Sequence, residues 1–136
     1  MQGERHAADE AAIRRLDDEW GKAATAKNLD AVVGFYAADG SLVWPEQKAV
    51  HGTARIRANW KKMMALYDGL KLQFIPERIV ISDDATLASD FGKVKFGHKE
   101  KGKQVMETAK YVVVWRKEKG SWKVLYDSWN TNSAAK

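Results

Sequence analysis

The sequence predicts an α+β domain with its helices first and an antiparallel sheet second. Three observations carry this prediction. Up to Tyr67, apolar residues recur at three- and four-residue intervals, the period of helices with one buried face. After Gly69 the chain holds four long stretches rich in β-branched and aromatic residues. Short turns bearing Gly, Asp and Lys separate those stretches, which makes sequential antiparallel hairpins the simplest topology. The predicted order is ααβαββββ, and segregated helices and strands define the α+β class.

Taken in order, Ile13, Leu16, Trp20 and Ala23/Ala24 form one stripe, with Arg14, Arg15, Asp17, Asp18 and Lys22 between them. That stripe predicts a long amphipathic first helix with His6 in its frayed start. Asn28 is placed to cap a shorter second helix carrying Leu29, Val32, Val33 and Tyr36, stopped by Asp39-Gly40. Residues 41–44 read as a short strand ended by Pro45, followed by a loop through Gln47 and Lys48. Thr53 can cap a third helix that buries Ile56, Trp60, Met63/Met64 and Tyr67 and stops at Gly69. Strands are predicted over 70–81, 85–97, 104–117 and 122–130. A sheet this long twists and curls, and helices on its concave side leave a cavity at the wide end.

Composition bounds the functions open to the chain. With 136 residues, 45% hydrophobic and 30% charged, it reads as one globular domain spanning 1–136. No cysteine is present, which excludes disulfides, Cys-ligated zinc and a thiol nucleophile. His6, His51 and His98 are scattered with no pair at metal-ligand spacing, so no metal site is expected. There is no Gly-rich phosphate loop or nucleophile elbow, and no cofactor is expected. The formal charge of +5 invites a nucleic-acid partner. Its lysines argue against one, because Lys99, Lys101 and Lys103 crowd one turn and Lys117 and Lys119 the next. No apolar run suggests a membrane partner. The N-terminus has no signal-peptide core, and the compartment stays open.

Asp90 is the charge that stands out. On its strand it shares one face with Ala88, Gly92, Val94 and Phe96, a small apolar set suited to a pocket wall. A desolvated carboxyl there would have a raised pKa and could exchange protons near neutrality, which makes Asp90 the candidate catalytic residue. The plainer reading pairs it with a cation or a backbone N–H that merely orders the sheet. Lys110 and Asp127 interrupt apolar strands that a hairpin sets side by side. They either project into the cavity as substrate contacts or pair across the outer face, and the second is favoured because strand charges are usually solvated. Six tryptophans is high for this length. Aromatic walls suit a flat apolar ligand, although Trp20 and Trp60 lie on helix stripes and serve a core equally well.

Three segments belong together: Tyr36-Ala37-Ala38-Asp39-Gly40, His51-Gly52-Thr53-Ala54-Arg55-Ile56 and Gly120-Ser121-Trp122-Lys123-Val124. Their order and spacing resemble the nuclear transport factor 2-like superfamily, in particular its SnoaL-like, ketosteroid-isomerase-related branch. The resemblance implies a cone-shaped cystatin-like fold around one apolar pocket. It would put Trp20, Trp44, Trp60 and Trp129 at the mouth and walls, joined by Tyr36 and Met64. It also implies a dimer through the sheet. The isomerase constellation itself is missing. Its base position holds Trp44, its first-helix tyrosine position holds Trp20, and its third position falls near Tyr111 or Val112.

Two functions follow as expectations. One is a cofactor-independent isomerase, cyclase or lyase acting on an apolar or polycyclic substrate through Asp90. The other is a non-catalytic apolar-ligand-binding or protein-association module. Tyr111-Val112-Val113-Val114-Trp115 is apolar at consecutive positions, which predicts a strand buried on both faces and a homodimer on the outer sheet face.

Overall fold

A computed structural model describes residues 2–133, so both ends of the expected 1–136 domain lie outside the described residues. The chain runs α1 (Gln2–Thr25), α2 (Leu29–Gly34), β1 (Tyr36–Val43), β2 (Val50–His51), α3 (Thr53–Leu66), β3 (Lys71–Ile81), β4 (Leu87–Glu100), β5 (Lys103–Glu118) and β6 (Ser121–Thr131). The strands form one sheet in the order β2-β1-β6-β5-β4-β3, open at both edges. The α+β class and the ordering of helices before long hairpin strands agree with the sequence.

The first half departs from expectation in detail. α2 keeps its Asn28 cap, whose side chain accepts the Ala31 N–H at 3.2 Å, but ends at Gly34. The Phe35 N–H closes the helix on Val32 and Val33 carbonyls, and Tyr36 already begins β1. Asp39-Gly40 therefore sits inside a strand rather than stopping a helix. β1 pairs parallel to β6, an exception to the expected antiparallel sheet, with an irregularity between Tyr36 and Ser41. The two-residue strand β2, expected as loop, pairs with Ser41 and Leu42. Gly52, at φ +88°, rather than Thr53, is the α3 N-cap, and it contributes no side-chain bond. His6 lies near the start of α1 and His98 within β4.

α1 packs along β3, where Trp20 stacks on Phe74 at 4.6 Å between centroids. Thr25 Oγ1 accepts the Leu72 N–H at 2.9 Å and donates to Leu72 O at 3.3 Å, tying the helix end to the strand. Register shifts in β3 at Pro76/Arg78 and at Val114/Trp115 of the β5–β6 pair add twist and bend the sheet around the helices. One row of cross-strand neighbours reads Ile79, Asp90, Val113, Asp127, Leu42, and every member is buried. Two carboxyls thus share one inward row with hydrophobic residues between and around them.

The opposite face is not covered. Leu87, Phe91, Val112, Tyr126 and Val80 are each between 43% and 50% exposed. β5 is therefore buried on its inner face only within a single chain: Tyr111, Val113 and Trp115 point in, while Val112 points out.

Candidate functional site

Asp127 ends a cavity. Its place on β6, opposite Leu42 of β1 and Val113 of β5, turns the carboxyl inward, where it is 3% exposed. Tyr36 Oη donates to Oδ2 at 2.5 Å and Trp44 Nε1 donates to the same oxygen at 3.1 Å. Trp60 Nε1 in turn donates to Tyr36 Oη at 3.0 Å, a chain of donors aimed at one carboxylate oxygen. Among the described residues no donor reaches Oδ1. Burial pushes the Asp127 carboxyl up to about 6, with the two donors opposing the rise. Burial and the adjacent Asp127 hold the Tyr36 hydroxyl well above its usual range, so it stays a donor.

In front of Asp127 lies an inner chamber of about 30 Å³, walled by Trp44, Trp60, Trp129, Phe74 and Phe96. A vestibule of about 330 Å³ shares Trp44, Met63, Phe96 and Trp129 with it. The Trp44 ring stands at 82° to Trp60 at 5.1 Å and at 62° to Trp129 at 6.5 Å. Trp44 occupies this position because Pro45 follows it directly, where β1 ends and the chain turns off the sheet.

Asp90 lies elsewhere on the same row and does not line that chamber. Tyr111 Oη donates to Oδ1 and Trp115 Nε1 to Oδ2, both at 3.0 Å. Its partners are thus side-chain donors of β5, neither the cation nor the backbone N–H that the plainer reading supposed. Asp17 of α1, fully buried, faces it. Among the described residues no N–H or O–H donates to either Asp17 oxygen. Burial, with Asp90 and Asp127 nearby, pushes the Asp17 carboxyl up to about 10, so near neutral pH Asp17 is protonated and its proton can lie between the two carboxyls.

Of the other residues singled out in the sequence, Trp20 is fully buried core, against Phe74 and Trp115, and lines neither chamber nor vestibule. Met64 is buried in the same core, and its neighbour Met63 takes the wall position. Lys110 points outward and donates to Thr131 O at 2.9 Å and Asn132 Oδ1 at 3.1 Å. The expected outer pair of Lys110 with Asp127 does not form, because Lys110 sits opposite Asn130 and Asp127 opposite Val113, on the other face. Phe96 and Val94, read from the sequence on the pocket-wall face of their strand, do line the chamber, whereas Asp17 and Phe74 are not marked out by the sequence as site residues. Asp17 carried a signal, since it falls four residues after Ile13 and three before Trp20, on the buried stripe itself. Among the described residues no group of acidic or histidine side chains is placed to hold a metal, and no helix is long and apolar enough to cross a membrane.

The family model of a SnoaL-like domain matches residues 5–126. No curated protein matches the chain. Solved structures that resemble it include a nuclear transport factor 2-like protein with a cystatin-like fold from Novosphingobium aromaticivorans, at 16% identity and TM-score 0.81 over 95% of this chain and 85% of that one. A ketosteroid isomerase-like protein from Erwinia carotovora atroseptica aligns at 19% identity and TM-score 0.77, over 96% and 98%. A scytalone dehydratase candidate from Novosphingobium aromaticivorans aligns at 15% identity and TM-score 0.78, over 93% and 86%. Identities this low establish the shared fold.

Proposed function

The chain belongs to the SnoaL-like domain family, and on that premise we propose that it is an acid–base enzyme of the isomerase or dehydratase type, with Asp127 as the group that exchanges the proton. The observation that supports this is the free Oδ1 at the end of an aromatic chamber, on a carboxyl whose pKa of about 6 suits proton exchange near neutrality. Ionised Asp127 takes a proton from a substrate carbon or heteroatom held against Oδ1. Tyr36 and Trp44 hold Oδ2 throughout, so the carboxyl keeps its orientation in both protonation states. The same carboxyl then returns the proton to the neighbouring atom or to a departing hydroxyl. The isomerase-like and dehydratase-candidate relatives are consistent with this class of chemistry.

Deuterium exchange read by NMR tests the assignment without a known substrate. A panel of cyclic enones, β-hydroxy ketones and amino ketones is incubated with the protein in deuterated buffer. Exchange into at least one member is expected, and Asp127→Asn should lower it by roughly 10²-fold or more. Asp90→Asn should leave the exchange rate within about a factor of a few, since Asp90 does not line the chamber. The reverse ranking would return the proton-transfer role to Asp90. Binding without exchange across the panel would favour the non-catalytic module.

We further propose that a second copy covers the exposed sheet face. Phe91 sits opposite Val112 and Val114 opposite Tyr126, so the exposed apolar side chains are contiguous across β4, β5 and β6. A patch of this kind on a sheet favours self-association, and a two-fold pair closes it. Sedimentation at micromolar concentration should give a dimer mass, and Val112→Lys should give the single-chain mass with an unchanged circular dichroism spectrum. A wild-type chain that stays at single-chain mass on concentration would refute the dimer.

A further inference from the structure

We infer that the inner chamber seats a protonated primary amine, its ammonium head against Asp127 Oδ1 and between the indoles of Trp44, Trp60 and Trp129. The inference rests on the Asp127 cavity being the substrate site and adds the charge of what binds there.

Uncompensated charge is the first reason. Asp127 is 3% exposed, and both its donors are neutral groups on the other oxygen. A buried carboxylate is costly unless a cation meets it, and among the described residues no cationic group faces Asp127. α1 contributes Asp17, β1 contributes Tyr36, and β4 contributes Asp90 on the same row. In the vestibule, Glu46 and Glu107 stand against a single cation among the described residues, Lys62 of α3. A chain of net charge +5 has thus placed an acidic lining around its cavity.

Aromatic geometry is the second. Ring faces attract cations through their negative quadrupoles, most strongly for tryptophan and most of all where water is excluded. Trp44 crosses Trp60 at 82° and Trp129 at 62°, so the three indoles are not coplanar and wall the space on more than one side. The chamber of about 30 Å³ has room for an ammonium-sized group, and the 330 Å³ vestibule for the carbon skeleton behind it. An anionic head would meet the Asp127 carboxylate there and no cation among the lining residues. A neutral head would gain nothing from the carboxylate's charge.

Two near-isosteric probes separate charge from shape: 2-phenylethylammonium and 2-phenylethanol, titrated calorimetrically into the full chain. At about pH 8, where Asp127 is ionised, the ammonium should bind at least about tenfold tighter than the alcohol. At about pH 5, with Asp127 protonated, the preference should shrink to a few-fold or vanish. Asp127→Asn should abolish it at both pH values, and the wild-type pH comparison stands on its own if that variant does not fold. Equal or tighter binding of the alcohol at the higher pH would overturn the inference. So would a preference that persists in Asp127→Asn, or no binding of either probe at millimolar concentration. Deuterium exchange that depends on Asp127 would survive each of those outcomes, so the two readings fail separately.

Discussion

Asp17→Asn is expected to raise the stability of this protein, although it removes a fully buried side chain's native chemistry. Folding takes the Asp17 carboxyl from water into a site where burial, Asp90 and Asp127 all oppose its charge. Its folded pKa is thereby raised far above the unfolded value, to about 10. For an acid shifted in this direction, the folded state binds the extra proton. The contribution to stability is intact below pH 4 and is lost as pH climbs from there towards 10. At pH 7 the cost of protonating a carboxyl that is ionised in the unfolded chain is about 4 kcal/mol, an upper figure because the pair shares the penalty. Asparagine has the same shape, needs no proton, and its amide N–H can donate to Asp90 as the acid O–H does. We therefore expect about 2–3 kcal/mol of stabilisation in urea at pH 8. Asp127 shifts in the same sense but is half-ionised near pH 6 and almost fully ionised above pH 7, so the window from 7 to 9 reports mainly Asp17. There the wild type should lose about 1 kcal/mol per pH unit and the variant much less. A variant less stable than wild type at pH 8, or one with the same slope, would show that Asp17 is not held protonated against Asp90.

The sequence disclosed the fold more fully than the site, and the reason is physical. Periodicity reports which face of an element is buried, and it located α1, α3 and the four long strands without help. It does not report which polar groups on that face meet. Asp90 was legible as an inward acid from the small apolar residues around it. Asp127 was not, because one residue of register decides its face and only pairing with Val113 and Leu42 settles it. The aromatic count was legible, but its use was not. Trp44, Trp115 and Trp122 each spend the indole N–H on a buried aspartate: Asp127, Asp90 and Asp9 respectively. Those partners are separated by 83, 25 and 113 residues, a distance across which no local pattern carries information. β1 was misplaced for a related reason. Its parallel pairing with β6 is a non-local bond that turns Tyr36 from the end of a helix into the start of a strand.

Gly92→Ala is expected to be the most damaging single methyl group that can be added to the sheet. Gly92 lies on the inner face of β4, opposite Pro76 of β3 and Tyr111 of β5. Beside it the register of β3 slips between Pro76 and Arg78, leaving Glu77 as the extra residue of a bulge. The bulge folds β3 over β4, and a Cβ at position 92 would lie 2.9 Å from both Glu77 N and Pro76 Cα and collide with Ile75 O. All three are backbone atoms, so no rotamer change relieves the clash. The bend itself would have to open. That bend carries Phe74, which stacks on Trp20 at 4.6 Å, meets Tyr111 at 5.4 Å and walls the inner chamber. Opening it therefore costs core packing and chamber shape together. We expect a loss of at least about 3 kcal/mol, in the range of severe overpacking. For a domain of this size that lowers the melting temperature by roughly 10 °C or more. Gly97→Ala supplies the control on the same strand. Its added methyl meets Met106 Sδ and Gln104 Nε2, the far ends of two flexible side chains that can move aside, so the cost should stay within about 1 kcal/mol. If thermal unfolding of the two variants were indistinguishable, the close approach of β3 to Gly92 could not be what bends the sheet.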